Sequence, residues 1–169
     1  MKDVSFKDFD ILSEQDKAEA VALVQRYDQL EVQDGCQADF ISFIKHMWPD
    51  FIEGRHHKII ANKFNKIADG KLKRLIVCLP PRHSKSEFAS TFFPAWMMGR
   101  RGNLKIIQTT HTAELAVRFG RKVRNIIDST EYQHIFPDLK LQADNKSAGR
   151  WTSNQEGEFF AAGVGGAIT

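Results

Sequence analysis

The chain has 169 residues, 42% hydrophobic and 27% charged, which suits one globular domain with a real core and leaves too little chain for two. Its 24 basic and 21 acidic residues leave a net charge of +3, mildly basic, which is compatible with nucleic acid nearby but far from diagnostic of it. No apolar run approaches the ~20 residues that span a bilayer, the first residues mix charged and apolar side chains unlike a signal peptide, and the two distant cysteines fit a reduced, cytosolic protein.

Residues 1–12 read as a loose lead-in. Ser13-Glu14-Gln15-Asp16 forms an N-terminal cap, and Ala18, Val21, Ala22, Val24 and Leu30 predict a helix to about Glu31. Gln33-Asp34-Gly35 predicts its end, which gives a helical lead-in over 1–35 and a main domain over 36–169. A second helix, Ala38 to Met47, carries the apolar stripe Phe40, Ile41, Phe43, Ile44 and Met47. Trp48-Pro49 ends it, because a residue before proline is pushed out of helical geometry. Ile59, Ile60, Phe64, Ile67 and Ala68 predict a third helix from His56 to Asp69, with Gly70 as its stop.

The five-residue apolar run Leu75 to Leu79 does not alternate and predicts a strand buried on both faces, with Cys78 in the core. A helix then starts at Lys85 with Phe88, Ala89, Phe92 and Phe93, and Pro94 predicts a kink or a new segment over Ala95 to Gly99. Leu104 to Thr109 reads as a second apolar strand. Thr110 or Thr112 caps a helix running to Asp128, with Leu115, Phe119, Val123, Ile126 and Ile127 inward. Short strands are expected at Arg150 to Thr152 and Glu158 to Ala162. The order strand, loop, helix, strand, helix predicts an α/β fold built on a parallel sheet, with the three leading helices flanking it.

Between the first strand and its helix stands Pro80-Pro81-Arg82-His83-Ser84-Lys85-Ser86-Glu87. A strand feeding a compact loop at a helix N-terminus is the plan of a phosphate-binding P-loop, which needs converging N–H groups, one reaching cation and one hydroxyl for magnesium. On that plan Lys85 contacts the β- and γ-phosphates and Ser86 helps hold Mg²⁺. Arg82 stabilises the charge of the departing γ-phosphate, and His83 and Ser84 line the loop. The strict pattern G-x-x-x-x-G-K-[ST] fails twice: Leu79 stands at the first glycine and Ser84 at the second. The same residues also suit a basic loop capping an ordinary helix.

The run Lys73 to Glu87 resembles the divergent Walker A region of the large terminase subunits of tailed bacteriophages, a family that tolerates loss of these glycines. The likeness extends upstream to Met47-Trp48-Pro49-Asp50-Phe51 and His56-His57-Lys58-Ile59-Ile60. Downstream it takes in Phe93-Pro94-Ala95-Trp96, the second strand, the helix with Arg118, Arg121 and Arg124, and the segment Gly163 to Thr169, so it covers about residues 37–169. The resemblance implies an ASCE-type P-loop NTPase fold and a motor that hydrolyses ATP with Mg²⁺ to drive double-stranded DNA into an empty procapsid. It implies ATP binding by Pro81, Arg82, His83, Ser84, Lys85, Ser86 and Glu87, with Lys85 and Arg82 in catalysis and Ser86 at the metal. The implied partners are the portal ring, the small terminase subunit and further copies in a ring. The implied location is the host cytoplasm, docked transiently on the procapsid, with no membrane.

The family places an acidic pair at the end of a later strand. No run of four apolar residues followed by two acids occurs here; Ile126-Ile127-Asp128 closes a helix and lacks the second acid. The chain is therefore read as the N-terminal part of a longer packaging ATPase, ending before the acidic strand and the nuclease domain, and weak in hydrolysis alone. His56 and His57 fall about where the family's adenine-contacting segment lies, though a solvated helix start is the commoner explanation of such a pair. Arg118, Arg121 and Arg124 are candidates for a trans-acting arginine, for phosphate-backbone contact, or for a solvated basic face. A zinc site is not expected from six histidines without ligand spacing. The tryptophans Trp48, Trp96 and Trp151 are expected to pack. The competing readings are a helicase-like DNA-dependent ATPase and a non-catalytic nucleotide- or DNA-binding module.

Overall fold

The structure, a computed structural model, describes residues 13–165; the lead-in over 1–12 and the end of the closing segment, 166–169, lie outside the described residues. The fold is α/β, an open four-stranded mixed sheet with helices against it. Helix α1 spans Glu14–Ala38, α2 Phe40–Met47 and α3 Arg55–Ala68. A helical rod follows, made of α4 (Lys85–Glu87), a π-helical stretch (Phe88–Phe92) and α5 (Phe93–Arg100). Then come β1 (Lys105–Thr110), α6 (Ala113–Ile127), α7 (Thr130–Ile135), β2 (Leu141–Lys146), β3 (Arg150–Ser153) and β4 (Glu158–Gly163).

The strand order is β1-β4-β3-β2, with β1 and β4 parallel, in register from Lys105 beside Glu158 to Thr110 beside Gly163. The other two pairings are antiparallel, so the sheet is mixed and not the parallel one expected. Strand β2 and helix α7 have no counterpart in the expected elements. Polar, six-residue segments carry too weak a period to be seen in advance.

The largest correction concerns Leu75 to Leu79. The segment pairs with no strand among the described residues, and its side chains alternate between half-buried and exposed, Ile76 being 89% exposed and Cys78 exposed as well. Leu75, Val77 and Leu79 pack on the core from one side only. A continuous apolar run predicts burial on both faces only if other strands flank it.

Helix α1 also runs past Asp34 and Gly35. Its last turns are held by the body: Gln33 and Gln37 donate to the carbonyl of Ile135 at 3.2 and 2.5 Å, and Cys36 is buried. Burial, and then the Asp39 carboxylate, push the Cys36 thiol up to about 11, so it stays a neutral core group. Asp39 ends α1 and caps α2, accepting from the Ser42 N–H at 2.9 Å.

The leading helices α2 and α3 pack on the rod rather than on the sheet. Phe40 lies fully buried with ring centroids of Phe64, Phe88, Phe93 and Trp96 at 5.2, 5.5, 5.8 and 5.3 Å. Trp96 donates its indole N–H to the carbonyl of Cys36 at 2.8 Å, which ties α5 to α1. Pro94 brings no N–H and crowds the carbonyl four residues back, so the preceding turn widens and Phe93 N–H bonds Phe88 O, five residues back. The expected kink at Pro94 is thus absorbed as a π turn.

Against the sheet, α6 presents Ala116, Gly120, Val123 and Ile127; Val123 and Ile127 are inward as expected and Ile126 packs beside them, whereas Leu115 is 37% exposed and Phe119 half-buried. The small residues allow a close approach: a Cβ on Gly120 would lie 2.6 Å from the carbonyl oxygen of Ala148. Trp151 and Phe159 stack beneath α6, centroids 4.9 Å apart, and Trp151 donates to Gly120 O at 3.2 Å.

Candidate phosphate-loop site

The loop 80–84 leaves the extended segment and enters the rod through two left-handed residues, Arg82 at φ 64° and Ser84 at φ 57°, ψ 10°. This region is rare for a residue with a Cβ and costs about 1–2 kcal/mol relative to the right-handed conformation. Ser84 is the position at which the Walker A pattern has its second glycine. The backbone therefore adopts the geometry that glycine would supply, with the wrong residue in it. Lys85 and Ser86 follow at once as the first two residues of the rod, both exposed. Pro81, Arg82 and His83 are exposed, while Ser84 and Glu87 are half-buried.

Inside the loop, His83 Nδ1–H donates to the carbonyl of Pro81 at 2.9 Å and closes a tight turn. The upstream motif supports it from below. Trp48 stacks on Phe92 at 5.9 Å, and Phe51 lies 5.5 Å from Phe88 and 4.8 Å from His57. His57 stacks on Phe88 at 5.0 Å, and His56 contacts His83 at 5.5 Å. The pair expected near the adenine is thus brought to the loop. His57 is 6% exposed, and its Nδ1 accepts from the Gly54 N–H at 3.0 Å, which places its proton on Nε2. Burial lowers its pKa below the ordinary value, helped by the neighbouring His56 and His83. His57 Nε2 and His56 Nε2 are both buried and unbonded. His57 therefore acts first as the cap of α3, and the solvated helix start expected for this pair does not describe it.

Glu87, three residues into the rod, pairs across to α6: Lys122 Nζ meets Glu87 Oε1 at 2.5 Å. Lys122 was not legible as a site residue, since no local spacing links positions 35 apart. Arg118 and Arg121 stand exposed on the same helix, while Arg124 is half-buried and donates to Asn125 Oδ1 at 3.2 Å. Thr110 closes β1 with its hydroxyl donating to Thr112 O at 2.7 Å, and Thr112 caps α6.

Two open grooves lie along one side of the rod and share Ala89, Ser90 and Phe93 as floor. One, about 410 Å³, is walled by Leu75 and Val77 and reaches Lys85 and Ser86; the other, about 350 Å³, is walled by Leu104, Ile106 and Gln108 of the β1 region. The Gln108 amide is buried there without a partner, and Ile107 beside it is 62% exposed. β1 has β4 on one side and no strand on the other among the described residues. A larger crevice of about 580 Å³ lies away from the loop, between α1 and α5. Two of its lining side chains are engaged, Gln37 on Ile135 O and Gln155 on Asp138 O, while Arg100 Nη1 is buried without a partner.

Among the described residues no group of three or more His, Cys, Asp or Glu is arranged to hold a metal ion, and no helix is long and apolar enough to cross a membrane. No protein-family model, no curated protein and no solved structure matches the chain.

Proposed function

We propose that residues 80–87, Glu87 through its backbone N–H and not its carboxylate, bind the phosphates of Mg²⁺-ATP and that the chain is the ATP-binding part of a DNA-packaging motor of the large terminase type. The observation that carries the phosphate reading is Ser84: a left-handed residue at the glycine position, immediately before an exposed Lys85-Ser86 that opens a 16-residue helical rod. Functional sites are where such backbone conformations collect, and N–H groups at a helix start favour anions. In this reading Lys85 reaches the β- and γ-phosphates, Ser86 ligates the magnesium ion that ATP brings, and Arg82 steadies the leaving phosphate.

The two grooves beside the rod give the reading its second support. They lie between an extended segment and β1, each of which has a side without a strand among the described residues. The groove walled by Leu75 and Val77 reaches Lys85 and Ser86, and ligands in open α/β sheets bind at the carboxyl ends of strands. Double-stranded DNA, the portal ring, the small terminase subunit and a ring of copies enter this reading through the family resemblance alone.

The test is a titration with a fluorescent ATP analogue and Mg²⁺. Lys85→Ala is expected to weaken binding about 100-fold, as removal of a charge-assisted contact does. Equal affinity of the folded variant and the wild type would sink the phosphate-loop assignment.

A further inference from the structure

Resting on the phosphate-loop reading, we propose that Lys122 of α6 is a positioning residue that neutralises Glu87 and so makes the start of the rod receptive to a polyphosphate. Glu87 is the third residue of the rod, after Lys85 and Ser86. Its carboxylate stands in the turn whose free N–H groups and partial positive charge draw anions. In the empty loop a carboxylate there is favourable; beside a bound polyphosphate it repels the ligand and competes for the same N–H groups. Lys122 answers this from another element. Its ammonium sits 2.5 Å from Glu87 Oε1, and the two side chains are 40% and 35% exposed, so solvent screens the pair only in part. The buried face of α6, with Val123 and Ile127 fully inaccessible, fixes the helix that carries it.

Three roles for Lys122 give different results. As a neutraliser it acts through Glu87; as a direct ligand it touches phosphate itself; as a strut it only joins α6 to the rod. The experiment measures affinity for the fluorescent ATP analogue with Mg²⁺ on the full chain, with thermal unfolding of each variant alongside. Lys122→Met is expected to weaken binding about tenfold, the order set by one uncompensated charge within a helical turn of a polyphosphate at a protein surface. The penalty should shrink at high salt, and Lys122→Arg should bind like the wild type. Glu87→Gln keeps the backbone N–H and removes only the repelling charge, so it should bind more tightly than the wild type, and the double variant Glu87→Gln/Lys122→Met should recover to within about twofold of the wild type.

A double variant as weak as Lys122→Met overturns the proposal in favour of direct contact. Wild-type affinity in Lys122→Met overturns it outright, and so does a loss of affinity that merely tracks a lower unfolding temperature and is not repaired by Glu87→Gln. A wild type that binds no nucleotide removes the phosphate-loop reading and this proposal together, whereas a wild type that binds and ignores Lys122 removes this proposal alone.

Discussion

Ser84 offers a test of the loop's backbone that needs no ligand. At φ 57° its Cβ crowds the neighbouring carbonyl, a cost of about 1–2 kcal/mol that glycine does not bear. Glycine in turn loses about 0.5–1 kcal/mol more conformational entropy on folding. Ser84→Gly should therefore stabilise the chain by about 0.5–1 kcal/mol, a rise in Tm of roughly 1–4 °C for a domain of this size. The reciprocal control is Gly70, at φ +75° with open space around the position of a Cβ, so that Gly70→Ser isolates the same backbone cost with the opposite sign. Urea denaturation, read by both far-ultraviolet circular dichroism and tryptophan fluorescence, measures both variants and checks two-state behaviour. If Gly70→Ser is destabilised while Ser84→Gly is unchanged or less stable, the left-handed assignment at Ser84 is wrong. The structural support for the phosphate loop would then go with it.

Two further outcomes follow from the packing. His57 is neutral in the fold and its pKa lies below the unfolded value near 6.5, so the unfolded state binds more protons as pH falls. Its contribution is complete above that value and is lost as pH drops from 6.5 toward the folded pKa. Tm measured from pH 8 to 5 should thus fall more steeply for the wild type than for His57→Gln; parallel curves would refute the buried, neutral cap. At Gly163, an added Cβ would lie 2.4 Å from the backbone nitrogen of Ala113, which no side-chain motion relieves. Gly163→Ala should therefore cost roughly 1–3 kcal/mol or more by overpacking, and an unchanged urea midpoint would contradict the close approach of β4 to α6.

Much of the helical framework was legible because it is written in local chemistry. Ser13, Thr112 and Gly70 mark helix ends by what their side chains or backbones can do, and the apolar stripes of α2 and α3 follow the helical period. The candidate loop was legible too, as Pro-Pro, a compact polar turn and Lys-Ser in order, although the glycine pattern rejects it. Continuation of α1 through Gly35 was not, because the hold comes from Ile135, about 100 residues away.

The sequence by itself determined where the candidate loop lies and which residues stand in it, since a loop and the first turn of its helix are contiguous in the chain. Only the tertiary structure decided the rest. It turned the apolar run Leu75 to Leu79 into a segment packed on one side, because burial depends on neighbours and not on composition. It set His57 to capping α3 against Phe51 and Phe88, and it brought Lys122 to Glu87. Each is a pairing across elements, which local sequence cannot encode because nothing in a residue's own neighbourhood names its distant partner.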